Sequence, residues 1–98
     1  MLLEFNLRRK NIKLYGRRLF IRVYALRKYR GTIQSLPRKF KAYVVLSNNS
    51  RWFGSVYRSY SSLYIYVPRE EVPRLLMLFD SRKRFRLKMY IRPVLSQT

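Results

Sequence analysis

Arg84-Phe85-Arg86-Leu87-Lys88-Met89-Tyr90-Ile91-Arg92 alternates without a break, with Phe85, Leu87, Met89 and Ile91 on one side and Arg84, Arg86, Lys88, Tyr90 and Arg92 on the other. A period of two marks a β-strand with one face in a core and the other in solvent. No acid stands between Arg82 and Arg92, whereas an ordinary solvated sheet face mixes signs. Same-face side chains recur about every 6.6 Å along a strand, so Arg84, Arg86, Lys88 and Arg92 form a row able to track a phosphate backbone.

Working back from this strand, Leu63-Tyr64-Ile65-Tyr66-Val67 alternates in the same way, with Tyr64 and Tyr66 outward, and Pro68 closes it. Residues 69–79 place Val72, Leu75, Leu76 and Phe79 at helical spacing, with Glu70 and Glu71 early, where the helix dipole favours acids. Pro73 removes an interior hydrogen bond, so the regular part of this helix begins only near Pro73. Residues 40–46 and 51–57 flank Ser47-Asn48-Asn49-Ser50 as a hairpin, because Asn tolerates the left-handed backbone of a tight turn. Leu19, Ile21, Val23 and Ala25 line one face of a further strand, preceded by short apolar runs at 2–7 and 12–15 and a turn at Gly16. Residues 27–39, basic and broken by Gly31 and Pro37, read as a mobile surface loop that orders on contact with a ligand. The chain is thus a single domain, 1–98, mainly β (α+β): a small curved antiparallel sheet or partial barrel with one short helix near 69–79.

Composition points to the partner. Lys and Arg number 23 against 4 Asp and Glu, a net charge of +19. Solubility needs only about 2 to 8 charges on a small domain, so the excess implies a polyanion that neutralises it. With 48 % apolar and 16 % aromatic residues the chain is too hydrophobic for a disordered basic tail. Neither Cys nor His occurs, which removes disulfides, thiol chemistry and the preferred ligands of zinc; no cofactor is expected. The carboxylates Glu4, Glu70, Glu71 and Asp80 do not form a metal-nuclease pattern, and no Gly-rich phosphate loop is present, so catalysis is not expected. No run approaches the ~20 apolar residues of a membrane span, and the start lacks a secretion signal, which leads us to expect a soluble, cytoplasmic protein.

The candidate contacts follow from this pattern. Beyond the row at 84–92, Arg82 and Lys83 precede it, Arg69 opens the helix, and Arg27, Lys28, Arg30, Arg38 and Lys39 supply the basic loop. Most of the cations are Arg, whose guanidinium matches phosphate bidentately and stacks on bases. Tyr64, Tyr66 and Tyr90 are the stacking candidates, since aromatic platforms beside a basic groove hold single strands without sequence preference. Trp52 and Phe53 follow the hairpin turn; Phe53 is available as an exposed wedge, and Trp52 is expected in the core.

Residues 63–92, a strand, then Val67-Pro68-Arg69-Glu70-Glu71-Val72, an apolar helix and a second alternating strand, resemble the swapped-hairpin DNA-binding domains of the AbrB/SpoVT type over about a third of the chain. Pro73 inside the helix and Ser81-Arg82-Lys83-Arg84 in place of the family's Gly-Asp turn depart from that pattern. The resemblance implies a homodimer with interleaved hairpins and places Arg69 and Arg82 near DNA. The expectation is a non-catalytic, low-specificity nucleic-acid-binding protein, DNA favoured over RNA. Its rivals are a ribosome-associated protein embedded in RNA, an oligomeric viral or chromosomal DNA-packaging protein and, last, a peripheral protein on anionic membranes.

Overall fold

The computed structural model describes residues 1–24, 26–81 and 84–92, without the side chains of Phe79 and Ser81. Ala25, Arg82 and Lys83, and the packing expected of Phe79, lie outside the described residues. Seven strands, β1 (Leu2–Arg8), β2 (Ile12–Tyr15), β3 (Arg18–Tyr24), β4 (Lys39–Leu46), β5 (Arg51–Ser59), β6 (Ser62–Tyr66) and β7 (Arg84–Tyr90), form one sheet in the order β1-β7-β4-β5-β6-β3-β2. Every pairing in it is antiparallel. Two helices, α1 (Arg30–Gln34) and α2 (Val72–Ser81), complete the fold.

The connection between β1 and β2 forces the sheet to curl. These strands occupy its opposite edges, yet only the 3-10 turn Arg9–Asn11 joins them. Six inter-strand steps would put the edges of a flat sheet about 29 Å apart. The four Cα steps from Arg8 to Ile12 reach at most about 15 Å. The edges therefore converge at this corner and the sheet becomes a half-barrel. Buried Asn11 pins the seam: its Oδ1 accepts the Arg8 amide at 2.8 Å, and its Nδ2 donates to the Arg22 carbonyl at 2.9 Å.

Alternation sorts the strands into a dry face and a wet one. Leu3, Phe5 and Leu7 of β1, Ile21 and Val23 of β3, Val44 and Leu46 of β4, Trp52 and Val56 of β5, Leu63 and Ile65 of β6, and Phe85, Leu87 and Met89 of β7 all point into a single core. Trp52 is buried there as expected. Helix α2 covers this core with Leu75 and Leu78, while Val72 is half-buried. Leu76, expected inward from spacing alone, is exposed together with Met77; the 72/75/78 stripe, not 72/75/76, faces the sheet. A 3-10 turn at Arg69–Glu71 precedes the α-helix, which starts at Val72, so Pro73 falls in the first turn, where a missing N–H loses no intrahelical bond.

Residues 27–39 differ from the mobile loop read from sequence. A 3-10 turn, Arg27–Tyr29, runs into α1, and the segment is anchored by the buried Ile33 and Leu36. Tyr29 meets Phe5 edge-on at 5.6 Å, and its hydroxyl accepts the Glu4 amide at 3.2 Å, which satisfies a donor on the edge strand β1. Tyr29, Ile33 and Leu36 stand at i, i+4 and i+7, an apolar helical stripe among cations. Among the described residues no helix is long and apolar enough to cross a membrane.

Candidate nucleic-acid interface

Each strand that sends apolar residues into the core sends its alternate residues to the outer face, and the registers fix which of them meet. On β7, Arg84, Arg86, Lys88 and Tyr90 are exposed and stand opposite Arg8, Asn6, Glu4 and Leu2 of β1. On its other side Tyr90 pairs with Tyr43 and Lys88 with Val45 of β4. Those residues in turn face Phe53 and Arg51 of β5, with Lys41 opposite Ser55 and Lys39 opposite Tyr57. The face continues through Tyr57↔Tyr64, then Tyr64↔Arg22 and Tyr66↔Phe20, and ends at Phe20↔Lys13 and Arg18↔Tyr15. Glu4 is the one acid among its described residues; Glu70 and Glu71 lie in the turn before α2, and Asp80 on α2 itself.

The two halves of the face differ in chemistry. On the β1-β7-β4 half, Arg86 sits where three shallow recesses of about 300, 360 and 350 Å³ meet. Asn6, Ser47, Asn49, Arg84 and Lys88 contribute amides, a hydroxyl and cations suited to phosphate oxygens to their walls, and the Glu4 carboxylate lines one of the three. Ser47 extends the ladder beyond Leu46: its amide donates to the Arg86 carbonyl at 3.0 Å, and its Oγ accepts the Arg86 amide at 3.3 Å. This fixes the backbone of the Arg86 strand against the β4–β5 turn, in which Asn49 takes the left-handed conformation (φ 69°) expected of it.

Aromatic rings dominate the other half. Tyr15, Phe20, Tyr57, Tyr64 and Tyr66 make a lattice of neighbours with centroids 5.7 to 6.2 Å apart and interplanar angles of 59 to 70°. Cations lie on these rings: the Arg22 guanidinium is 4.6 Å from the Tyr24 centroid and 5.3 Å from that of Tyr64, and the Lys39 ammonium is 5.5 Å from Tyr57. Arg22 Nε is buried with no hydrogen-bond partner among the described residues.

The residues singled out from sequence divide between this face and other parts of the fold. Arg84, Arg86 and Lys88 form the expected row, and exposed Arg92 follows β7. Lys39 joins the outer face, and Lys28 lines a recess with Arg86 and Lys88, although it belongs to the helical segment beside β1. Arg27, Arg30 and Arg38 are exposed on or near that segment and outside the row. Arg69 lies in the turn before α2, the helix that covers the core side of the sheet. Arg82 and Lys83 fall outside the described residues. Tyr64, Tyr66 and Tyr90 all reach the outer face, and Phe53 is 65 % exposed there.

Arg8, Lys13, Arg18, Arg22, Lys41 and Arg51 are the face cations that sequence reading did not single out. The phase of each strand was the signal that could have found them. Arg58 serves the scaffold instead, since its Nε donates to the Leu36 carbonyl at 2.8 Å and its Nη1 to the Tyr60 carbonyl at 3.2 Å, tying the end of the α1 segment to β5.

Residues 63–92 do form strand, helix and strand, with β6 and β7 separated in the sheet by β4 and β5. Comparison of the chain with family models, curated proteins and solved structures finds no match, so the AbrB/SpoVT-type resemblance draws no support from them and the functional reading rests on this geometry.

Proposed function

We propose that this protein binds nucleic acid without catalysis and with low sequence specificity, DNA favoured, laying the phosphate backbone along the outer sheet face. The observation that carries this reading is the row Arg84, Arg86 and Lys88, flanked in register by Arg8 and backed by Arg51, Lys41 and Lys39, on a face with a single acid among its described residues. A long polyanion satisfies several of these cations at once, whereas a small anion neutralises only one or two. Phosphate contacts give affinity and position without reading sequence, and the side chains that would read a groove edge, such as Asn6, are few on this face.

The test is fluorescence anisotropy with matched single-stranded DNA, duplex DNA and RNA over a range of salt. Five to eight neutralised phosphates give a log–log salt slope of about −3.5 to −5.6 for a single strand and about −4.5 to −7 for a duplex. Scrambling the sequence should change affinity little. A slope near zero on all three ligands overturns the proposal.

A further inference from the structure

We propose that the recess framed by Tyr15, Phe20, Tyr57 and Tyr64 seats one unpaired nucleobase, so that the face selects single strands over duplex. This rests on the nucleic-acid reading above and adds to it the strandedness of the ligand and the subsite that decides it.

Size and wall chemistry come first. The recess measures about 360 Å³, and Arg18 completes its lining. That is near the lower end of the ~300–1,000 Å³ of small-molecule sites, room enough for one base with its sugar. Ring orientation comes second. Tyr15 stands 63° from Phe20 and 59° from Tyr64, and Phe20 stands 70° from Tyr57. In these tilted and edge-on contacts no two rings stack face to face, and while cations lie over Tyr64 and Tyr57, the half-exposed Tyr15 offers a face on which a flat heterocycle stacks.

The surrounding charge identifies the ligand further. Tyr15 and Arg18 are register partners across the two-residue turn of the β2–β3 hairpin, where Gly16 has φ 62°, so a cation is held at the mouth beside a ring. Arg22 lies over the Tyr64 ring, next to the recess but outside its lining. A flat group with an adjacent negative charge meets the ring and the Arg18 cation, while Arg22 adds positive charge beyond the lining. An apolar side chain of a second protein would leave these cations desolvated and unpaired, and a methylated cation would be repelled. From β6 to β7 is three inter-strand steps across the same face, about 14 Å, so a strand with one base in the recess still passes Arg86. A base within a duplex is stacked and paired and does not enter.

A double-mutant cycle on the full chain decides the matter. The ligands are a single-stranded octanucleotide and the same sugar–phosphate octamer without bases; the variants are Tyr15→Leu, Tyr57→Leu and, as rescue, Tyr15→Phe. Each Leu variant is expected to weaken the octanucleotide about 5- to 150-fold, the effect of losing one base stack. It should leave affinity for the abasic octamer within twofold and the salt slope unchanged, because no cation is removed. Tyr15→Phe should bind like the parent, and a 2-aminopurine placed in the octamer should be quenched on binding. If the parent binds neither ligand with a salt slope, the nucleic-acid reading itself fails. If it binds both with a slope but the Leu variants weaken them equally, or alter only the oligomeric state, the base pocket is refuted while the broader reading stands.

Discussion

Replacing Arg86 by Ala tests whether the charge acts from a defined surface or as a diffuse cloud. Arg86 is exposed on β7 at the meeting point of three recesses, and its side chain carries none of the core. With six phosphates contacted on a single strand, the slope of about −4.2 makes affinity fall roughly 300-fold between 50 and 200 mM salt. One contact fewer gives about −3.5 and a fall of roughly 130-fold. A charge-assisted hydrogen bond is worth about 1.5 to 3 kcal/mol, so at 50 mM salt the variant should bind about 10- to 150-fold more weakly, with the curves converging as salt rises. Anisotropy titrations at four or five salt concentrations measure both quantities. Arg69→Ala, on the turn before α2, is the matched control and should change affinity less than twofold with no change of slope. If Arg69→Ala and Arg86→Ala flatten the slope equally, the outer face has no special part in binding and the charge acts as a cloud.

Two further substitutions probe the scaffold. Tyr60 is 90 % exposed at the β5–β6 turn with φ 55°, a left-handed conformation that disfavours residues with a Cβ by about 1 to 2 kcal/mol. Tyr60→Gly should therefore raise stability by about 1 kcal/mol, visible as a higher urea midpoint with unchanged m; an unchanged or lower midpoint would show that the turn is not strained. Asn11→Ala leaves the Arg8 amide and the Arg22 carbonyl without their seam partner and should destabilise by about 2 to 4 kcal/mol, read by the same denaturation. A loss below about half a kcal/mol, less than a single net hydrogen bond, would mean that Asn11 does not hold the corner.

Period-two strands were legible because each residue's face is a local property: β7, β6 and the turn at 47–50 needed nothing beyond their own sequence. Strand order was not local. Nothing near Arg84–Tyr90 announces that β7 inserts between β1 and β4, and nothing near Lys13 or Arg22 announces that they share a face with Tyr64. The aromatic recess draws on β2, β3, β5 and β6, so it exists only once the half-barrel has formed. Leu76 was misplaced for the same reason: Val72, Leu75, Leu76 and Phe79 stand at helical spacing, but so do Val72, Leu75 and Leu78, and contact with the sheet buries Leu78 and leaves Leu76 exposed. The α1 segment was hidden by composition, because Arg27, Lys28, Arg30, Gly31 and Pro37 outweigh Tyr29, Ile33 and Leu36 in any average while those three alone meet the core.

A face of this kind works against the fold that carries it. Arg8 and Arg84 are direct cross-strand partners, and like charges so placed destabilise a sheet. The continuous apolar face behind them must offset that repulsion: the central strands fill their inward positions with Leu, Ile, Val, Met or aromatic residues, except where Ala42 and Gly54 meet and where Arg58 stands opposite Leu63. On the proposed function a polyanion should reverse the balance: bound to the native face alone, it would relieve the repulsion and stabilise by about 2.7 kcal/mol at about a hundred times its dissociation constant. Salt then acts with opposite signs on the two states. It screens Arg8 from Arg84 and strengthens the free protein, while it weakens the complex by restoring competition for the phosphates. Charge that served solubility alone would produce the first effect without the second.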